Sequence, residues 1–71
     1  MDVYRISPTK LYTGGAAYVA AKNVDEAIKT FCEENYRKFE YEEGDCECNH
    51  VANMSYDIDR PFVIFDDLYL E

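Results

Sequence analysis

Positive charge is scarce in this chain. Seven Lys and Arg stand against fifteen Asp and Glu, for a formal net charge of −8 at pH 7. Proteins that hold phosphate backbones use Lys and Arg to displace condensed counterions, and an acidic surface repels such ligands. Nucleic acid is therefore not an expected partner, and an anionic membrane surface is disfavoured on the same ground. Long apolar runs are missing as well. Nothing approaches the ~20 residues of a membrane-crossing helix. The segment Met1-Asp2-Val3-Tyr4-Arg5-Ile6 has neither the basic nor the apolar region of a secretory signal. No linker, repeat or low-complexity stretch divides the sequence. Cysteine is present as three residues, an odd number, whereas a small secreted domain usually carries an even set for disulfides. Reduced thiols and a cytoplasmic location are the expectation.

What is present suits one small folded domain, residues 1–71. Hydrophobic residues make up 48%, with seven Tyr and four Phe, whereas a disordered acidic tail is poor in aromatic and β-branched residues. By size scaling, such a chain falls from roughly 12,000 Å² of surface unfolded to about 4,600 Å² folded. The core is small, so a partner chain or a bound ion has room to add stability.

Asp2 to Ile6 alternates as a short strand, with Tyr4 and Ile6 on one face. Ser7-Pro8-Thr9-Lys10 reads as a turn and Gly14-Gly15 as a second break. Ala16 to Ala21 then reads as a strand pairing back on the first, despite the helix propensity of its alanines. Asn23 is a helix N-cap with Glu26 at the capping-box position. Val24, Ala27, Ile28, Phe31 and Cys32 follow at the spacing of one buried stripe. Asp25, Glu26, Lys29, Thr30, Glu33 and Glu34 fall on the opposite face, and the helix is expected to end near Tyr36. Phe39 and Tyr41 alternate with Glu40 and Glu42 as a strand, and Gly44-Asp45 turns the chain. From Cys46 the even positions Cys46, Cys48, His50, Ala52, Met54, Tyr56 and Ile58 form one face of a long half-buried strand. Val51 is the only apolar residue among the intervening odd positions, and a bulge interrupting so long a strand is compatible with the pattern. Phe62-Val63-Ile64-Phe65 has the continuous apolar character of a central strand. The expected fold is α+β: a single amphipathic helix on one face of a mostly antiparallel sheet of four to five strands, in the order ββαββ(β). Return of the last strand to the centre beside the first would make it β-grasp-like; periodicity does not settle strand order.

The sharpest chemical cluster is Cys32 with Cys46, Cys48 and His50, a tetrahedral zinc set by ligand type. A flat strand, however, holds alternate side chains roughly 6–7 Å apart, and zinc knuckles are tighter. Free cysteine is also among the most buried residue types, so core packing is the preferred reading and zinc the alternative. A nucleophilic cysteine needs a depressed pKa. His50 is two residues from Cys48, but Glu42, Glu43, Asp45 and Glu47 oppose ionisation, and Cys32 sits toward the wrong end of the helix dipole. No Cys-x-x-Cys redox pair exists. Gly14-Gly15 lacks any phosphate-loop pattern after it, and Asp57/Asp59 and Asp66/Asp67 lack a calcium-loop frame.

Glu40, Tyr41, Glu42, Glu43, Asp45 and Glu47 gather acids and one tyrosine around a turn. They are the candidate interaction residues, docking a basic protein partner; the plainer reading is a solvated turn whose charge discourages aggregation. The sequence thus points to a non-catalytic interaction domain that binds another protein or itself, with no cofactor. A zinc-binding domain is the alternative.

Overall fold

The protein is described here by a computed structural model, which covers residues 1–9, 13–39, 43–54 and 60–70. Its main sheet has four strands: β1 (Asp2–Pro8), β3 (Ala17–Ala21), β4 (Cys46–Asn53) and β5 (Phe62–Asp66), in the order β4-β1-β3-β5. Two short strands, β2 (Thr13–Gly14) and β6 (Tyr69–Leu70), pair separately. Every pairing in the main sheet is antiparallel. Helix α1 (Val24–Phe39) joins β3 to β4. Both of those strands run opposite to β1, so they run parallel to each other and α1 carries the chain across β1.

The expected α+β class holds, with one helix on a four-stranded antiparallel sheet. The β-grasp-like order does not. β5 pairs with β3 and, among the described residues, lies beyond it at the edge, not beside β1. Phe62–Phe65 therefore forms an edge strand despite its apolar run, and Phe65 is 58% exposed.

One contiguous core lies between helix and sheet. Tyr4 and Ile6 of β1, Ala17, Val19 and Ala21 of β3, and Ala27 and Phe31 of α1 are all buried in it. The alanines of β3 take strand conformation because small side chains let α1 approach the middle of the sheet, where Ala27 meets them. Tertiary packing here outweighs intrinsic helix propensity. The accessible surface, 4800 Å², is close to the roughly 4,600 Å² expected of a monomer this size.

The helix starts as its sequence predicts. The Glu26 N–H donates to Asn23 Oδ1 at 2.8 Å, and the Ala27 N–H donates to the Asn23 carbonyl at 3.1 Å. Glu26 Oε1 reaches back and accepts from the Lys22 N–H at 3.2 Å, one residue before the position a capping box serves. Asp25 and Glu26 complement the dipole in this first turn. The buried stripe is rotated from the predicted one. Val24 is exposed and Thr30, placed on the polar face by pattern, is buried. Its hydroxyl donates to the Glu26 carbonyl at 2.8 Å, so the polar atom is satisfied within the helix and its methyl is free to face the layer below.

At its far end α1 runs to Phe39, past Tyr36 and through the start of the strand expected at Phe39–Glu42. The Glu33–Arg37 and Glu34–Lys38 spacings, with the acid first, favour that extension. Glu40, Tyr41 and Glu42 lie outside the described residues. A single 3-10 turn, Glu43–Asp45, then leads into β4.

β4 ends at Asn53, and the predicted continuation through Tyr56 and Ile58 lies outside the described residues. Tyr4 pairs with His50 and Val3 with Ala52, so Val51 is an extra residue in β4. The same device recurs at the other edge, where Tyr18 pairs with Phe65 and Val19 with Val63, leaving Ile64 extra in β5. Both edge strands are bulged, and both bulge residues are exposed large hydrophobics. A bulge kinks and twists a strand, making a poor template for edge-to-edge pairing.

Ser7 and Pro8, expected in a turn, continue β1 opposite Glu47 and Cys46. The break comes after them, and Gly14-Gly15 does serve as one. Gly15 has φ +89°, and a Cβ there would overlap the Asp67 carbonyl oxygen. Asp67 is anchored at this crossing: its carboxylate accepts the Ala16 N–H at 2.7 Å, and its own N–H donates to the Ala16 carbonyl at 3.0 Å.

Candidate functional site

β4 brings the predicted chemical residues into register. Cys46 lies opposite Pro8, Cys48 opposite Ile6 and His50 opposite Tyr4. Because Ile6 and Tyr4 point into the core, their partners face the helix side of the sheet. From above, α1 contributes Cys32 next to the buried Phe31, and all three cysteines pack half-buried against the core. Burial pushes the Cys46 thiol up from 9.0 to about 12, reinforced by Cys32 and Cys48, which repel a neighbouring thiolate, and by Asp45. Burial also raises the Cys48 thiol. Both shifts run opposite to the depression that arms a nucleophilic cysteine.

His50 does not join the thiols. Its ring is exposed beyond the helix-covered area, with Nε2 at 2.9 Å from Asn53 Oδ1 and 3.6 Å from Asp2 Oδ1. The ring meets Tyr4 edge-on, centroids 5.5 Å apart at 75°. Tyr4 in turn is hydrogen-bonded to Asp2, and burial first, then the Asp2 charge, raises its phenol above the ordinary value. The four-ligand set of Cys32, Cys46, Cys48 and His50 is thus divided between a thiol group under the helix and an imidazole at the sheet end. Among the described residues, no three His, Cys, Asp or Glu side chains are grouped to hold a metal ion.

No protein-family model, curated protein or solved structure matches the chain.

The acidic turn is also divided. Glu40, Tyr41 and Glu42 lie outside the described residues, and Glu43 opens the 3-10 turn. Asp45 is half-buried, and its carbonyl accepts the Thr9 N–H at 2.7 Å, extending the β1–β4 ladder. Glu47 is exposed opposite Ser7, on the sheet face away from α1.

A second acidic feature was not singled out by sequence. An open groove of about 500 Å³ runs along α1 between Asn23 and Glu33, with Pro61 on its far wall. Asp25, Glu26 and Glu33 line it against the single basic side chain of Lys29. The i, i+3, i+4, i+7 spacing of Glu26, Lys29, Thr30 and Glu33 was visible in the sequence, but Pro61, which makes a groove of the helix flank, is remote in the chain. No helix among the described residues is long and apolar enough to cross a membrane.

Proposed function

We propose that the protein is a non-catalytic interaction domain that docks a basic segment of a partner protein on its acidic surface. The groove on α1 carries this reading. It offers three carboxylates and one ammonium in an open cleft of about 500 Å³, dimensions that admit one or two Lys or Arg side chains from an extended segment. A net charge of −8 adds long-range attraction for a basic partner and speeds encounter. A reducing, cytoplasmic setting fits three cysteines that form no disulfide.

Self-association is the second reading, favoured by the sheet face that α1 leaves uncovered, where Tyr18 and the exposed Phe65 pair side by side. The like charge of two copies works against it.

Titration of isotopically labelled protein with a Lys/Arg-rich peptide, followed by amide NMR, tests the proposal. Shifts should concentrate on residues 23–33 and should weaken steeply as salt rises from ~50 to ~300 mM. Glu26→Gln with Glu33→Gln should lower affinity several-fold. Shifts absent at low salt, or confined to the uncovered sheet face, would overturn the basic-partner reading. Concentration-dependent sedimentation without peptide would favour self-association instead.

A further inference from the structure

The bulge in β4 does more than blunt an edge. In a regular strand, residues three apart point to opposite faces. His50 and Asn53 are three apart, yet the extra residue Val51 between them returns both to one face, with His50 opposite Tyr4 and Asn53 opposite Asp2. Asp2 and Tyr4 are alternate residues of β1 and share that face. Three donor atoms from two strands therefore converge: His50 Nε2 lies 2.9 Å from Asn53 Oδ1 and 3.6 Å from Asp2 Oδ1. Backbone pairing fixes the frame, since the Met54 N–H donates to the Met1 carbonyl at 2.8 Å just beyond the Asp2–Asn53 pair. The buried Tyr4 ring holds the imidazole edge-on from the core side. The His50 and Asp2 side chains remain 48% and 37% exposed, so an ion from solvent can reach them.

We propose that His50 Nε2, Asp2 Oδ1 and Asn53 Oδ1 form a binding site for a zinc ion at this end of the sheet. Ligand atoms held roughly 2.0–2.2 Å from one zinc ion, at angles of about 90–120°, stand about 2.8–3.6 Å from each other. Both nitrogen–oxygen distances have that spacing. One imidazole with a carboxylate and an amide oxygen suits zinc better than magnesium or calcium, which take all-oxygen sets. In binding, the ion replaces the hydrogen that Nε2 shares with Asn53, the ring keeps its one proton on Nδ1, and water completes the coordination. A net charge of −8 draws divalent cations toward the chain. Bound there, the ion clasps the start of β1 to the end of β4 and stabilises the fold by mass action.

The test follows the ring nitrogens of His50, the only histidine in the chain, by proton–nitrogen correlation NMR. The full reduced chain is titrated with zinc sulfate near pH ~7.5. Nε2 should take the shift of a metal-bound nitrogen and Nδ1 that of a protonated one. Asp2→Asn and Asn53→Ala should each weaken binding about tenfold, the loss that even outer partners of a metal site cause. Asn53→Asp, which adds a carboxylate, should tighten it. None of the three residues belongs to the core, so these variants keep the fold. Ring nitrogens left unchanged at saturating zinc, as when the ion goes to the cysteine thiols instead, would overturn the proposal. Failure of either Asp2→Asn or Asn53→Ala to weaken binding would overturn it too, because that is the behaviour of a lone surface imidazole.

Discussion

Replacing Gly15 with alanine tests whether the crossing of Gly15 and Asp67 holds the two ends of the fold together. Two separable costs arise. At φ +89° an L side chain pays for a left-handed backbone, about 1–2 kcal/mol. The new methyl would also overlap the Asp67 carbonyl oxygen, which is backbone and cannot swing aside like a side chain. Relief requires Asp67 to retreat, stretching both of its hydrogen bonds to Ala16. Losing the charge-assisted one costs about 1.5–3 kcal/mol. Partial relaxation brings the expected total to about 2–4 kcal/mol, a large part of what a domain this small possesses. Gly44→Ala is the matched control, since nothing lies within 4 Å of its Cβ position. Removing a glycine there should leave stability unchanged or raise it by up to about 1 kcal/mol. Urea titration of the three proteins, monitored by far-UV circular dichroism at a fixed low temperature, gives the difference in midpoints. If Gly15→Ala shifts the midpoint no more than Gly44→Ala does, the close approach at Asp67 is not a structural constraint and this account of it is wrong.

Two further predictions address the helix start and alkaline pH. Asn23→Ala removes the acceptor of the Glu26 N–H and should cost about 1 kcal/mol, while Asn23→Gly should cost only a few tenths. In a domain of this length, the alanine variant should melt about 4–8 °C lower, and equal melting of both variants would show that the cap does not act through its side chain. The Cys46 thiol, pushed from 9.0 to about 12, and the raised Tyr4 phenol are both neutral when protonated, and the fold favours that form. Their stabilising contribution is therefore complete below about pH 9 and is lost as pH climbs toward 12. Melting temperature should fall across that window and fall less in Cys46→Ala; a flat profile would contradict the burial of both groups.

Much of this architecture is legible in local pattern, and what escapes is long-range. The capping signals at Asn23 and Glu26 depend on neighbours three residues away, and the structure bears them out. Alternation placed Tyr4, Ile6, Cys46 and Cys48 on the helix side. Val51, the one apolar residue that broke the alternation of β4, is its bulge residue. Phe62–Phe65 misled because an apolar run describes both a central strand and an edge strand with an uncovered face. Only pairing partners distinguish the two, and β5 finds one on a single side among the described residues. Thr30 misled because a hydroxyl bonded to its own helix is no longer polar to its surroundings. The place of Cys32 escaped for a different reason: strand spacing relates Cys46 to Cys48, whereas the position of Cys32 depends on where α1 lands across the sheet. The groove beside Pro61 escaped likewise.

Strand order also sets the order of events during folding. β3 is buried almost throughout and lies between β1 and β5, yet its second neighbour comes far later in the chain, with Ala17 paired to Asp66. Until residues 62–66 dock, β3 presents an unpaired, alanine-rich edge without the bulge that protects each finished edge. Loop-closure entropy makes that last docking the slow step of assembly. In a concentrated solution of refolding chains, β5 from a second molecule can fill the vacancy through the same hydrogen bonds, competing with the chain's own strand as concentration rises toward the effective concentration of that tethered segment. Strand exchange is therefore the characteristic misassembly of this topology, and dilution during refolding is the condition that suppresses it.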